Sequence, residues 1–244
     1  MKRIFLFLAI CCSAFSCQKD SSGSSAGVST TGKGGSLARF AATATHLYTL
    51  SVSDLKTYDI SASLNPVYQS NQNLGFDVET LFPKENKLFI GTQTGMQIMD
   101  ISNPDVPKLM SSFAHIRACD PVVANDKYAF ITLRNGNICT RGVNELQIID
   151  ITNLNQPKVV KTYSMTNPMG LALDGSNLFV CDGGIKHYDI SDINNIVLKS
   201  KTVIDATDLI ANNGVLMAIG ISGLYQYDYS SGSLKYLSAL PVNN

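Results

Sequence analysis

Leu146-Gln-Ile-Ile-Asp-Ile-Thr-Asn-Leu-Asn-Gln-Pro157 is a β-like run that ends in an aspartate and passes into a turn punctuated by Asn and Pro. It recurs along the chain. Near-copies stand at Leu55-Lys-Thr-Tyr-Asp-Ile60, Met96-Gln-Ile-Met-Asp-Ile101, Ile185-Lys-His-Tyr-Asp-Ile190 and Leu224-Tyr-Gln-Tyr-Asp-Tyr229. The aspartates Asp59, Asp100, Asp150, Asp189 and Asp228 are separated by 41, 50, 39 and 39 residues. A strand-rich unit repeated at a period near 40 cannot bury its own apolar faces, so its neighbours must stack on it; this is the sequence pattern of propeller blades.

Each unit divides into four short apolar runs separated by turn residues such as Asp174-Gly175, Asn135-Gly136 and Ser231-Gly232, where positive φ costs little. In the second unit the runs are residues 78–82, 88–90, 96–101 and 108–113, and in the fourth 170–173, 178–180, 185–190 and 197–202. The third run is apolar on both faces: Met96 and Ile98 alternate with Met99 and Ile101, and Leu146 and Ile148 with Ile149 and Ile151. A sheet buried on both faces needs a neighbour on each side, which radial stacking supplies. Helices are excluded because no 3.6-residue apolar stripe outlasts two turns without Gly, Pro or Asn. The expected fold is all-β: a five-bladed β-propeller of four-stranded antiparallel blades over residues 36–244. The last residues supply the outer strand of their own blade, so closing the ring needs no strand exchange and depends on packing between blades 1 and 5.

The 244 residues are 45% hydrophobic and 16% charged, with 19 Lys and Arg against 19 Asp and Glu. That balance provides a substantial core but no electrostatic field for nucleic acid. The chain begins Met1-Lys-Arg3 and continues with a nearly apolar run at residues 4–15. Twelve residues are too few to span hydrocarbon, which takes ~20, so the leader reads as a signal for secretion. Its end, Ser13-Ala-Phe-Ser-Cys17, resembles the lipobox of bacterial lipoproteins. The resemblance implies a signal peptide over residues 1–17, a lipid on Cys17, and membrane attachment through that lipid. Gln18, where an inner-membrane retention signal would place Asp, implies the outer membrane of a diderm bacterium, on its periplasmic or its exposed side. Residues 18–35, rich in Ser and Gly, form a flexible tether.

The core Leu146-Gln-Ile-Ile-Asp150 with the continuation Ile101-Ser-Asn-Pro104 of the second unit resembles the LVIVD repeat of bacterial propeller lipoproteins. The resemblance covers about Ser36 to the end and supports the fold rather than an activity. It departs from the repeat in units four and five, which lack Asn-Pro, and in a count below the seven or eight of larger relatives.

The repeated aspartates each precede a turn, where a carboxylate can accept backbone N–H groups one or two residues on. Coordination of cations by a ring of five carboxylates is the competing reading. Outside the leader, Cys119 precedes the first strand of blade 3 and Cys139 follows its second. Antiparallel pairing brings those ends to one edge, so a Cys119–Cys139 disulfide is expected, closing a loop worth ~3 kcal/mol in the chain-entropy model. Cys181 remains unpaired, buried and inert. Three scattered histidines do not form a zinc site, H-E-x-x-H, P-loop and G-x-G-x-x-G motifs are missing, and G-x-S-x-G occurs only as Gly23-Ser-Ser-Ala-Gly27 inside the Ser/Gly-rich tether, where no strand-to-helix elbow is expected, so no cofactor or metal is expected. The face where first strands start and second strands end collects Arg39, Asp77, Glu79, Arg117, Asp120, Asp182, Asp205 and Asp208. Of these, Arg39, Asp77, Arg117, Asp120, Asp182 and Asp208 are the candidate ligand-binding set; solvated loop charges or strand caps are the competing explanation. The function expected is a non-catalytic binding or scaffolding module for a protein or glycan partner. The alternative is a secreted propeller hydrolase or lyase using channel-facing acids such as Asp120 and Asp208.

Overall fold

A computed structural model describes residues 33–62, 64–75, 77–115, 121–136 and 143–242. Among them are twenty strands in five antiparallel four-stranded sheets, each a simple meander. Blade 1 is β1 (Phe40–Ala42), β2 (His46–Leu50), β3 (Asp54–Asp59) and β4 (Val67–Asn73). Blade 2 is β5 (Val78–Lys84), β6 (Lys87–Thr92), β7 (Gly95–Asp100) and β8 (Lys108–Ala114). Blade 3 is β9 (Val122–Ala124), β10 (Tyr128–Leu133), β11 (Glu145–Asp150) and β12 (Lys158–Ser164). Blade 4 is β13 (Leu171–Asp174), β14 (Asn177–Cys181), β15 (Ile185–Asp189) and β16 (Val197–Thr202). Blade 5 is β17 (Asp208–Asn212), β18 (Val215–Gly220), β19 (Gly223–Asp228) and β20 (Lys235–Pro241).

Every third strand ends on the repeated aspartate, one residue earlier than the apolar pattern predicts. The reason is chemical. Each carboxylate turns back to accept the N–H two residues on: Ser61 (2.7 Å), Ser102 (2.8 Å), Thr152 (2.9 Å), Ser191 (2.9 Å) and Ser230 (2.8 Å). A bulge then recurs at one place in every blade, between Thr57 and Tyr58, Ile98 and Met99, Ile148 and Ile149, His187 and Tyr188, and Gln226 and Tyr227. An extra residue on the outer strand sharpens the local twist that lets each sheet wedge against the next.

The turn bonds hold the five carboxylates below the usual carboxylate range, Asp189 at about 2 through the N–H and hydroxyl of Ser191 and the nearby Lys199. A carboxyl whose folded pKa is depressed contributes stability above its unfolded value of about 3.9 and loses it as pH falls through the folded value. Resistance to urea is therefore expected to hold from neutrality to about pH 5 and to fall between about pH 4 and pH 2, with a smaller fall in Asp189→Asn. Chemical unfolding at stepped pH checks this, and an unchanged slope in the variant would remove Asp189 from the account.

The core lies between blades. Tyr48, Leu50 and Leu55 of blade 1 meet Leu81, Leu88, Ile90 and Met99 of blade 2. Phe89, Met96 and Ile98 meet Ala129, Ile131 and Ile149 of blade 3. Phe130, Leu146 and Ile148 meet Leu178 and Val180 of blade 4, whose Phe179, Cys181 and Ile185 meet Leu216, Ala218 and Tyr227 of blade 5. Each buried aliphatic or aromatic side chain contributes roughly 1.5–3 kcal/mol relative to exposure. Loops after the third strands reach back over these junctions. The Tyr48 hydroxyl donates to the Pro104 carbonyl (3.2 Å), Ser70 to that of Asp105 (2.5 Å), Ser111 to that of Leu154, and Tyr163 to that of Ile193 (3.0 Å).

Blade 5 does not pack on blade 1 in this way, although closure of the ring was expected to depend on that packing. Inner strands β1, β5, β9, β13 and β17 lie against one another in sequence, but β17 and β1 barely touch. The blade 5 face bearing Met217, Ile219 and Leu224 is only partly covered, and so is the blade 1 face bearing Phe40, Leu47 and Tyr58. At the equivalent positions of the packed junctions, Phe130, Leu146, Leu88 and Met99 are all buried. The curvature set by four wedged junctions leaves the fifth seam open.

Candidate functional site

The loop face is built by the starts of the inner strands, and its polar residues are engaged by the chain's own backbone. Residues 33–38 enter the axis, where Lys33 and Gly34 line a small cavity with Phe82, Val123, Leu173 and Ile210. Ser36 and Leu37 turn directly beneath the Asp208 carboxylate. That carboxylate accepts Ser36 N–H (3.1 Å), the Ser36 hydroxyl (2.9 Å), Leu37 N–H (3.1 Å) and Leu209 N–H (2.9 Å). The Ser36 oxygen in turn accepts Leu171 N–H (2.8 Å), and on the other side the Ala38 carbonyl accepts Leu81 N–H (2.8 Å). One segment thus ties blades 4 and 5 to blade 2. Gly35 and Gly170 are required by this approach, because a Cβ on either would collide with the Asp208 carboxylate. Burial raises the Asp208 pKa above its ordinary value, opposed by the Leu209, Ser36 and Leu37 donors.

Asp182 has no exposed side-chain surface and is spent in the same manner. It accepts the N–H groups of Asn167 (2.7 Å) and Thr166 (3.0 Å) and pairs with the Lys186 ammonium at 2.5 Å. Burial pushes its pKa up, but the Asn167 N–H, Lys186 and the Thr166 N–H outweigh that and hold it below the carboxylate range. Arg39 donates to three carbonyls, Ser51 (2.7 Å), Val78 (3.1 Å) and Glu79 (3.2 Å), stapling blade 1 to blade 2. Asp77 adopts φ of 67° and its carbonyl accepts Gln93 N–H (3.0 Å). Asp205 lines a cleft of about 350 Å³ between blades 4 and 5 with Asn167, Met169 and Cys181. Cys181 is free and buried, and burial pushes its thiol pKa far up, the environment of an inert thiol.

Among the described residues, the structure brings Arg39 and Asp77 to one blade junction and Asp208 to another. Arg117 and Asp120, Cys17, which is expected to carry a lipid, and Cys119 and Cys139, which are expected to pair, lie outside the described residues. No group of three or more His, Cys, Asp or Glu that could hold a metal occurs among the described residues. Sequence reading missed Ser36, Gly35 and Gly170, whose partner lies more than 30 residues away in every case. It also missed the clasp donors Ser70 and Ser111, although both stand at the bulge of the fourth strand, opposite Thr57 and Ile98. On the opposite face a cleft of about 560 Å³ opens between blades 3 and 4, with Asp126, Lys127, Asp192 and Asn194 at its rim.

The LVIVD repeat family matches residues 81–115 and 117–165, the stretch that forms blades 2 and 3. No curated protein matches the sequence. Among solved structures, a functionally unknown protein from Desulfotomaculum acetoxidans is 13% identical with a TM-score of 0.64, covering 81% of this chain and 67% of its own. A protein from Lactobacillus plantarum is 12% identical with a TM-score of 0.63, covering 81% and 69%. The periplasmic gluconolactonase of Pseudomonas aeruginosa is 10% identical with a TM-score of 0.61, covering 82% and 68%. At such identities the likeness shows a shared fold. Five meandering blades, each closed by the same capped turn, and a family match centred on two of them identify the chain as a five-bladed β-propeller that carries LVIVD repeats.

Proposed function

We propose that this protein is an envelope-anchored lipoprotein, held at the outer membrane by a lipid on Cys17, whose propeller is a non-catalytic binding or scaffolding module for a protein or glycan. The observation that carries the reading is the occupation of the propeller axis by residues 33–38. Their tie to Asp208 uses the carboxylate best placed for acid–base work, and Asp182 and Arg39 are likewise committed to backbone partners. A hydrolase or lyase needs two carboxylates facing one substrate, whereas these groups serve the fold. The lipobox-like Ser13-Ala-Phe-Ser-Cys17 supports the anchoring.

Cys17→Ala is expected to abolish incorporation of labelled palmitate and move the protein from the membrane to the soluble envelope fraction. A wild-type protein that takes up no label would sink the anchoring. For the module itself, capture from intact cells should enrich a partner that saturates with concentration, and turnover of a polymer by the purified protein would overturn the non-catalytic reading.

A further inference from the structure

On the face away from Asp182 and Asp208, the second strand of each blade has one residue paired with the repeated aspartate, and its side chain takes a different partner from blade to blade. In blade 1 it is His46, whose ring nitrogen meets the Asp105 carboxylate of blade 2 at 2.8 Å and bridges the junction. In blade 2 it is Lys87, turned to Asp100 at 3.3 Å, and in blade 4 it is Asn177, held by the ring of His187 at 2.8 Å. In blade 3 it is Tyr128, half-buried and paired with Asp150 in the ladder. The position across the junction is Asn194, which follows Asp189 by five residues as Asp105 follows Asp100. No bond joins Tyr128 to Asn194. Where the bridge stands between blades 1 and 2, the cleft of about 560 Å³ opens between blades 3 and 4, with Tyr128 and Asn194 on its walls.

That volume lies within the range of pockets that hold small ligands, ~300–1,000 Å³. The walls offer donors and acceptors with little net charge. Lys127 brings an ammonium and Asp192 a carboxylate, Lys84 already neutralises Asp126 at 2.6 Å, and Asn194 and Ser176 add an amide and a hydroxyl. An uncharged, hydroxyl-rich ligand with apolar C–H surface suits such a lining, because its hydroxyls both give and take hydrogen bonds and an aromatic ring such as Tyr128 covers the C–H face. An anionic ligand would meet Asp126 and Asp192 on the same walls, and like charges brought together are penalised. A second hollow, of about 200 Å³ at the junction of blades 2 and 3, shares the Asn125–Asp126 turn with the first. The two are consecutive, so a ligand that fills both is an oligomer.

We propose that the cleft between blades 3 and 4 is a binding site for a neutral oligosaccharide, whose chain continues past Asn125 and Asp126 into the hollow beside blade 2. The inference rests on the binding-module reading and deepens it, by choosing glycan over protein and by naming the surface.

The full chain is titrated calorimetrically with neutral hexasaccharides of glucose, mannose, galactose and N-acetylglucosamine. At least one is expected to bind saturably, one to one, with its monosaccharide at least tenfold weaker. Tyr128→His with Asn194→Asp rebuilds here the bridge that His46 and Asp105 make, closes the cleft, and is expected to weaken binding at least tenfold without lowering Tm. Should that pair fail to fold, Ser176→Trp at an exposed turn position fills the cleft and is expected to give the same loss. Absence of binding by all four hexasaccharides overturns the proposal, and so does binding that survives both the bridge and Ser176→Trp. A protein partner captured from cells alongside silent titrations removes the saccharide site while leaving the binding-module reading in place. Cleavage of a bound hexasaccharide does the reverse: it keeps the cleft and overturns the non-catalytic reading.

Discussion

Phe130→Ala is expected to cost about 3–5 kcal/mol, the usual toll for truncating a buried aromatic side chain. Phe130 is fully buried where blade 3 meets blade 4, against Val123, Leu146, Leu178 and Val180. The ladder hydrogen bonds of both sheets fix the surrounding backbone, which limits how far the site can collapse into the space it vacates. Met217 occupies the same place in blade 5, one residue before Ala218 as Phe130 stands one before Ile131, yet it is only partly covered. Met217→Ala should therefore cost below about 1 kcal/mol. Urea unfolding of the two variants gives the comparison directly. Equal losses would show blade 5 packed as deeply as blade 3, and the open seam would have to be abandoned.

Asp182→Ala should be nearly as damaging, at about 3 kcal/mol or more, because it strands the N–H groups of Thr166 and Asn167 and leaves the Lys186 ammonium without its counter-ion. Asp182→Asn should fall between the variant and the wild type, since an amide oxygen still accepts the two N–H groups. The pH dependence separates charge from shape. Asp182 has a folded pKa below its unfolded one, so its contribution is complete above about pH 4 and disappears as pH falls through the folded value. The gap between wild type and Asp182→Asn measured by unfolding at pH 7 should therefore narrow at pH 2. A gap that stays constant would mean that packing, not the ion pair, sets the cost.

The fold was legible because its information is local and repeated. The spacing of Asp59, Asp100, Asp150, Asp189 and Asp228 locates five third strands, and the runs around them locate all twenty strands within a few residues. Boundaries slipped where capping chemistry overrode the apolar pattern: Ile101 and Ile151 read as strand but follow the capped turn and pack under the neighbouring blade. The candidate site was legible only as a list of charges on one rim. Arg39, Asp182 and Asp208 do lie there, but whether a carboxylate meets solvent or an N–H is decided by which distant segment folds over it. Ser36 and Asp208 are separated by 172 positions, and nothing in either neighbourhood announces the other. The open seam escaped for a related reason. Met217 and Leu47 look like core residues in any reading by pattern, and only the curvature of the assembled arc shows that they never meet.

The axial position of residues 33–38 also orders events during synthesis. These are the first residues of the domain to leave the ribosome, yet their anchor points at Leu171 and Asp208 are made well over a hundred residues later. Blades 2, 3 and 4 can assemble pairwise as they emerge, from contacts close in sequence, whereas this longest-range closure must wait for blade 5. The earliest-made part of the domain is therefore the last to settle, and a nascent chain paused before residue 208 carries a finished stack around an untied thread.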